Sequence, residues 1–365
     1  MHSFSVLSSE PRPTGPLMTA SVLATAAVLL TGCTAGAGSE TAADDGTTTV
    51  ENCGIDVTVE GPPERVYAAY QPAIEIAHAL GIGDRLVETA FLDSQVLPEY
   101  VEAQEATEYV ESLPSREALL TEEPDFVLSG FNGVFVSDGA GDASFGTRGS
   151  LAELGVQSWI LSPLCPSADG LSDEAIDPAT VRVETIHDDL RALGDLFDAQ
   201  ERAEEVIADQ NDRIEAVAEA VADADRPTVA FVTLREDGTI SVAGGIDFGT
   251  QVIEHAGGEN AFGDLTETRN VQIDLEELIR RDPDVILTST CCDASYTRED
   301  AADDVAAIAE HPALSGVTAV EQDQVHPFLF ADRSAGVRAA HAIEVLASLL
   351  HPDLVSSEQA GSVTE

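Results

Sequence analysis

Residues 115–127 read SREALLTEEPDFV, and residues 274–286 read DLEELIRRDPDVI. In each stretch an N-cap type residue, Ser or Asp, stands two positions before a glutamate, and a Pro-Asp pair begins seven positions after that glutamate. An N-cap followed by apolar residues at helical spacing predicts a short helix, and Pro-Asp before an apolar run predicts the start of a buried strand. The same arrangement occurring twice indicates two structurally similar halves.

The segments around both stretches alternate between helical and strand patterns. In the first half, strands are predicted at 65–70, 85–91, 124–129 and 156–161. Helices are predicted at 73–80 and 115–121, and a further helix is predicted to end at residues 151–155. In the second half, strands are predicted at 227–234, 283–288 and 325–330, and helices at 250–256, 275–281 and 335–350. This alternation favours an α/β fold with parallel sheets, arranged as two Rossmann-like lobes with a ligand cleft between them.

A long helix is predicted between the halves. Apolar residues keep helical spacing through residues 199–224, and no Gly or Pro interrupts them before Pro227. About 25 residues of helix would span ~37 Å, which makes a stiff spine between two lobes. The predicted boundaries are an N-terminal lobe at 53–198, a connecting helix at 199–225, a C-terminal lobe at 226–352 and a disordered tail at 353–365.

The N-terminal segment is predicted to be a targeting signal. Residues 17–30 form an uncharged apolar run, which is too short to span a bilayer but suits the core of a signal peptide. The run ends in Leu-Thr-Gly-Cys at Cys33, which resembles the lipobox of bacterial lipoproteins. That resemblance implies a signal peptide at 1–32, lipidation of Cys33 and anchoring to the extracytoplasmic face of the cell membrane. Residues 33–52 are small, polar and acidic, and predict a flexible tether.

Composition excludes several classes of function. The chain of 365 residues has 17 basic residues, all of them arginine, against 67 acidic ones, for a net charge of −50. Such a polyanion is a poor partner for nucleic acid or for anionic lipid surfaces. The sequence has no His-Glu-x-x-His, Gly-x-Ser-x-Gly, Walker or dinucleotide-binding motif, so we expect no enzyme.

Short sequence motifs over residues 56–350 resemble those of the class III solute-binding proteins of ABC importers. That family includes siderophore, haem and cobalamin receptors. The matching phrases are Arg65-Val66, 72–76, 79–87, Glu117 through Asp125, Gly244-Gly245, 252–254, 256–260 and Glu276 through Ile286. The resemblance implies a monomeric receptor that passes its solute to a permease and its ATPase. It also implies that Glu117 and Glu276, one on each lobe, pair with permease arginines. Each glutamate would also favour the dipole of its own helix.

Ligand is expected in the cleft, on loops that follow strand ends. Aromatic side chains there could cover a bulky ligand, and arginines could hold its acidic groups in a bidentate manner. The candidate ligand-binding residues are Tyr70, Gln71, Phe91, Phe131, Asn132, Arg235, Phe248, Tyr296, Phe328, Phe330 and Arg333.

Four cysteines remain besides Cys33, and an even number outside the cytoplasm indicates disulfides. The preferred pairing is Cys53 with Cys165, which would tie the start of the body to the first lobe. Cys291 and Cys292 are adjacent and follow a predicted strand, so we expect them at the cleft. A vicinal disulfide is favoured there, and a free thiol pair or a soft metal site is the alternative.

These observations predict a membrane-anchored receptor for a ferric siderophore-type chelate, with no resident cofactor or metal beyond the iron of that chelate. The alternatives are a receptor for cobalamin, haem or another cofactor, and a metal-ion receptor. Haem would require an axial ligand such as Tyr70 or Tyr296. His78 and His255 occupy corresponding helices, but we expect them to be packed or surface residues and not metal ligands. An enzyme is the least favoured class.

Overall fold

The computed structural model describes residues 46–135, 144–166, 176–235 and 238–356. The predicted signal peptide, Cys33 and most of the predicted tether lie outside these residues, as does the end of the predicted tail. None of the helices in the described ranges combines the length and apolarity that a membrane crossing requires.

The body begins with an antiparallel hairpin, which the sequence analysis had assigned in part to the tether. Strand β1 (Thr48–Asn52) pairs with β2 (Ile55–Val59). Val57 of β2 is buried, and the Asn52 amide bonds the backbone of Ile160 through both its oxygen and its nitrogen. These contacts fix the chain to the first lobe, so any tether ends before Thr48.

The first lobe is an α/β layer around a five-stranded parallel sheet, as predicted. Its strands are β3 (Val66–Ala69), β4 (Leu86–Ala90), β5 (Tyr109–Val110), β6 (Phe126–Ser129) and β7 (Gln157–Ile160). Its helices are α1 (Gln71–Ala79), α2 (Val101–Glu105), α3 (Arg116–Thr121), α4 (Arg148–Ala152) and α5 (Val183–Phe197). The strand order is β5-β4-β3-β6-β7, so the chain changes direction across the sheet beside β3.

The connecting helix α6 (Gln200–Val221) lies between the two sheets in the chain, within the predicted range. Its buried side chains, among them Ala203, Ile207 and Ile214, belong to the main apolar core. Arg213 on its other surface forms an ion pair of 2.6 Å with Glu344 of the last helix. The helix is therefore packed along its length and does not bridge the halves through solvent.

The second lobe is built around a six-stranded sheet. Its strands are β8 (Thr228–Leu234), β9 (Ile240–Ala243), β10 (Glu259–Asn260), β11 (Asn270–Ile273), β12 (Val285–Thr290) and β13 (Val325–Leu329). Its helices are α7 (Gly249–His255), α8 (Leu275–Arg281), α9 (Ala302–Ala309), α10 (Thr318–Glu321) and α11 (Ala339–Leu350).

This second sheet is mixed, which corrects the expectation of parallel sheets in both lobes. Strands β8, β12 and β13 are parallel, whereas β9 runs antiparallel to β8 and β11 antiparallel to β9. Only residues 235–239 separate β8 from β9 in the chain, and a connection that short can join only antiparallel strands. Just after β9, the backbone of Gly245 packs directly against the backbone of Gly263. A Cβ at position 245 would lie 2.1 Å from the Gly263 carbonyl oxygen, so this packing requires glycine.

Alternate residues of β8 enter two separate cores. Val229 and Phe231 belong to the large core that also contains α6 and much of the first lobe, whereas Ala230 and Val232 belong to a smaller core on the opposite face. This alternation follows from the two-residue period of a strand that is covered on both faces.

The chain stays packed beyond the predicted end of the second lobe. Val355 is buried, and its backbone N–H donates to the carbonyl of His351 at 2.9 Å. The predicted disordered tail at 353–365 therefore begins too early, since it includes a residue that buries its side chain.

Candidate functional site

Three aromatic rings meet where the strand order of the first lobe reverses. Tyr70 follows β3, Phe91 follows β4, and Phe131 lies two residues after β6. The centroid of the Tyr70 ring lies 5.2 Å from that of Phe91 and 5.0 Å from that of Phe131, both in edge-to-face geometry. All three side chains keep part of their surface exposed. The loops beyond strand ends at such a reversal are a usual place for a ligand.

The backbone of this aromatic cluster is strained. Tyr70 has φ of 71° and Phe91 has φ of 64°, in the left-handed region that side chains larger than glycine disfavour. Hydrogen bonds from Tyr70 N to the Ala90 carbonyl (2.9 Å) and from Phe91 N to the Val110 carbonyl (3.2 Å) hold both residues. Each such conformation costs about 1–3 kcal/mol, and such strain is concentrated at functional sites.

The second lobe contributes two guanidinium groups gathered around one carboxylate. The Asp247 carboxylate lies 2.8 Å from Arg333 and 3.7 Å from Arg269, and all three side chains are largely buried. The guanidinium carbons of Arg333 and Arg269 lie 5.0 and 6.0 Å from the ring centroid of Phe330, which is partly exposed. We call these four residues the guanidinium cluster. Such a cluster can receive acidic groups of a ligand in a bidentate manner.

Asp93 connects this cluster electrostatically to the first lobe. It is buried two residues after Phe91, and burial raises the pKa of its carboxyl to about 7, against the opposing attraction of Arg269 and Arg338. The charge of Arg269 in the second lobe therefore acts on a carboxyl group in the loop that carries Phe91.

Backbone contacts join the lobes along this same loop. Gln95 N donates to the Tyr296 carbonyl at 3.0 Å, and its side-chain amide donates to the Ser295 carbonyl at 3.2 Å. Cys292 N donates to the Asp93 carbonyl at 3.0 Å. The loop after β4 and the loop after β12 are thus in direct contact.

A buried ion-pair centre joins the lobes behind these loops. Arg338, at the start of α11, lies 2.9 Å from Glu75 of α1 and 2.5 Å from Asp332, and it donates to the Gln95 carbonyl at 2.5 Å. Burial opposes the charge of Arg338, but the two carboxylates raise the pKa of its guanidinium above its ordinary value. This side chain therefore stays charged and holds α1 against the second lobe.

The structure brings five of the predicted ligand residues to these two clusters: Tyr70, Phe91, Phe131, Phe330 and Arg333. Tyr296 lies on the inter-lobe loop, where it lines a separate pocket of about 420 Å³ with Cys291 and Asp300. Arg235 is exposed in the turn between β8 and β9, and its backbone N bonds Thr239.

Four other predicted ligand residues are buried inside the lobes and belong to neither cluster. Phe248 and Phe328 are 3% and 0% exposed in the core, and the Asn132 amide donates to the Leu164 carbonyl. Gln71 is fully buried, and its side-chain oxygen accepts from the backbone of Asp93 (3.0 Å). Gln71 therefore positions the loop after β4 and leaves no polar group for a ligand.

Sequence reasoning missed Asp93, Asp247, Arg269 and Arg338. Asp247 and Arg269 flank the antiparallel strands that were not predicted. Arg269 and Arg338 did carry one signal, because a chain with so few cations seldom buries one without a purpose.

His78 and His255, which we expect to be packed or surface residues, lie in helices of different lobes. His78 is buried, and its Nε2 lies 2.8 Å from the Gln104 side-chain oxygen. His255 lies at the end of α7 in the other lobe. These positions give the metal-receptor alternative no support.

Both predicted docking glutamates are exposed in the first turn of their helices. Glu117 lies in α3, whose N-cap Ser115 accepts from Ala118 N, and Glu276 lies in α8, whose N-cap Asp274 accepts from Glu277 N. Each helix leads into a strand of its own lobe, so the two carboxylates hold corresponding positions.

The four described cysteines form two disulfides. Cys53 bonds Cys165, the preferred pairing, and joins the hairpin to the end of the first sheet. Cys291 bonds Cys292, with Cys292 exposed at the inter-lobe contact.

Comparison with known proteins places this architecture. Residues 161–326 match the family described as periplasmic binding protein. The matched segment is somewhat less than half of the chain, so it shows a similarity to that family. No curated protein sequence matches the chain.

Solved structures share its fold over nearly their whole length. A periplasmic binding protein from Veillonella parvula has a TM-score of 0.70 and 22% identity, covering 84% of this chain and 98% of its own. An ABC-type Fe3+-hydroxamate transport system structure from Saccharomonospora viridis has a TM-score of 0.66 and 25% identity, covering 83% and 99%. The haem-binding protein RhuT from Roseiflexus sp. RS-1 has a TM-score of 0.58 and 21% identity, covering 81% and 99%. The two-lobed α/β fold is thereby confirmed.

Proposed function

We propose that this protein is the extracytoplasmic solute-binding component of an ABC importer, and that it captures a ferric chelate of the siderophore type and delivers it to the permease. The observation that carries the proposal is one group of side chains in each lobe, aromatic in the first and cationic in the second. The aromatic cluster of Tyr70, Phe91 and Phe131 can cover the apolar faces of a chelate. The guanidinium cluster, with Arg269 and Arg333 beside Phe330, can hold its acidic groups.

The similarity to the Fe3+-hydroxamate transport structure supports a ferric chelate over other solutes. Haem is the second candidate, because haem-binding proteins share the fold and the partly exposed Tyr70 offers a phenol that can ligate iron.

Calorimetric titration with a panel of ferric hydroxamates, ferric catecholates, haem and cobalamin tests the ligand class. We expect a ferric chelate to bind most tightly. Arg333→Gln should weaken that binding about 10- to 100-fold, because a hydrogen bond to a charged group contributes about 1.5–3 kcal/mol. Arg191→Gln is the control, since Arg191 is an exposed residue of α5 that pairs with Glu204 and belongs to neither cluster. Tighter binding of haem or cobalamin, or equal effects of the two variants, would refute the assignment.

Docking to the permease is proposed for Glu117 and Glu276. A carboxylate at a corresponding exposed position on each lobe can pair with guanidinium groups and fix the orientation of the complex. Glu117→Ala combined with Glu276→Ala should abolish uptake and leave chelate affinity unchanged. Glu102→Ala with Asp303→Ala is the matched control, because these exposed acids also occupy first turns of helices, one in each lobe. Unchanged uptake in the first variant removes the docking proposal.

Membrane anchoring is proposed for Cys33. Two or more acyl chains on that residue would hold the protein at the membrane, where a single chain gives marginal binding. Cys33→Ser should move the protein from the membrane fraction to the soluble fraction. Wild-type protein found only in the soluble fraction would contradict the proposal.

A further inference from the structure

Three side chains with metal-binding atoms meet at the inter-lobe contact. Asp93 comes from the loop after β4 in the first lobe, and Cys291 and Cys292 come from the loop after β12 in the second. One carboxylate oxygen and the two sulfur atoms all lie within 4.8 Å of one another. The cluster therefore combines ligand atoms of both lobes.

The backbone holds these atoms in register. Cys292 N donates to the Asp93 carbonyl at 3.0 Å, which fixes one loop against the other. The side-chain oxygen of Gln71 accepts from Asp93 N at 3.0 Å and from Ser94 N at 3.2 Å. The Asp93 carboxylate, 4% exposed, is thereby directed at the Cys292 sulfur, 3.8 Å away.

The disulfide cannot supply a hydrogen bond to the Asp93 carboxylate. Neither sulfur of the Cys291–Cys292 disulfide carries a hydrogen, so neither can donate to the buried Asp93 oxygen beside it. Reduction would change this, because each sulfur becomes a thiol or, after losing its proton, a thiolate. Cys292 is exposed and Cys291 is partly exposed, so a small reductant can reach the bond.

We propose that Asp93, Cys291 and Cys292 form a redox-gated site for a thiophilic divalent cation, closed while the disulfide is intact. A dithiol reductant opens it by exchange: the Cys–Cys bond breaks, the reductant becomes a cyclic disulfide, and its two protons pass to the cysteine sulfurs. The cation then displaces these protons and binds two thiolates and one carboxylate.

The donor set selects the cation. Two sulfur atoms and one oxygen suit Zn2+ or Cd2+ and disfavour Mg2+ or Ca2+, which prefer oxygen. Two thiolates and a carboxylate outweigh the charge of a divalent ion by one, and the nearby Arg269 and Arg338 can offset that excess. A fourth position is left for water or another ligand, and the bound ion would join the lobes.

Cd2+ alone is the probe, because its bonds to thiolates absorb in the ultraviolet. The full protein is reduced with dithiothreitol, freed of reductant without air, and its new thiols are located by alkylation and mass spectrometry. We expect alkylation at Cys291 and Cys292, a thiolate band that saturates with a single Cd2+ per molecule, and no band in the oxidised protein.

Variants test whether Asp93 contributes to Cd2+ binding, or whether the two cysteines bind the ion alone. Asp93→Asn should weaken Cd2+ binding by about tenfold or more, since it removes a charged ligand. Asp293→Asn is the matched control, because Asp293 is exposed in the same loop and bonds Ser295. A band that persists after Cys291→Ser with Cys292→Ser, binding unaffected by Asp93→Asn, or a disulfide that resists reduction in the folded protein would overturn the proposal.

Discussion

Replacing Arg338 by methionine should destabilise the protein severely. The change removes a guanidinium that is 5% exposed and leaves two carboxylates, Glu75 and Asp332, both 0% exposed. Removing one partner of a buried ion pair costs about 3–5 kcal/mol, because the charge left behind is uncompensated. Asp332 keeps a longer contact of 3.4 Å with Arg298, whereas Glu75 keeps only hydrogen bonds to Gln71 and the Leu97 backbone. Glu75 therefore dominates the loss.

The loss of folding stability in Arg338→Met should depend on pH, and its direction should show that Glu75 is the main cause. Burial already raises the pKa of this carboxyl, against the opposing charge of Arg338, and removing that charge raises it further. The folded variant then holds a proton that the unfolded chain releases, so its stability falls as the pH rises between the two pKa values. The cost should be larger at pH 8 than at pH 5, and Glu75→Gln added to Arg338→Met should recover part of it.

Urea unfolding followed by circular dichroism at both pH values measures these losses. Arg191→Met is the control, because Arg191 forms an exposed pair of 2.8 Å with Glu204 and should lose less than about 1 kcal/mol. An Arg338→Met loss below about 1 kcal/mol would refute the reasoning. So would a double variant that is no more stable than the single one.

Two further predictions concern the first lobe. Cys53→Ala with Cys165→Ala opens a loop spanning a sequence separation of 112, and it should cost about 2–5 kcal/mol in calorimetry; unchanged stability would contradict this. Burial raises the pKa of Asp189 to about 7, although Ser162 and the single tryptophan, Trp159, donate hydrogen bonds to it. Ionisation should therefore lower stability as the pH rises towards 7, and Trp159 fluorescence should titrate with a midpoint near 7 in the wild type but not in Asp189→Asn.

The sequence predicted those features that depend only on residues close together in the chain. The segment before Glu117 forms an N-cap at Ser115, and the matching segment forms one at Asp274, as the repeated pattern indicates. The aromatic cluster was also within reach, because Tyr70, Phe91 and Phe131 follow strands whose apolar runs could be identified. These predictions needed only residues within one helix or strand, or immediately next to it.

The remainder depends on contacts between distant segments. Glu75 and Arg338 are 263 positions apart, and no periodicity in the sequence pairs them. Phe248 and Phe328 also follow strand and loop signals, but the packing of the second lobe places them in the core instead of the cleft. A pattern along the chain identifies which residues lie near a strand end, whereas packing decides which of them face the ligand.

The scarcity of cations links the two proposed interactions of this protein. Arg269, Arg333 and Arg338 lie in or near the contact between lobes, while Glu117 and Glu276, the proposed docking carboxylates, are exposed on a chain of net charge −50. Salt screens exposed charges within about 8–10 Å but affects buried ones much less. Docking through exposed carboxylates should therefore weaken as ionic strength rises, whereas chelate binding by the buried guanidinium cluster should persist. A receptor built in this way would retain its ligand in a salty medium and control delivery through the weaker, screened contact.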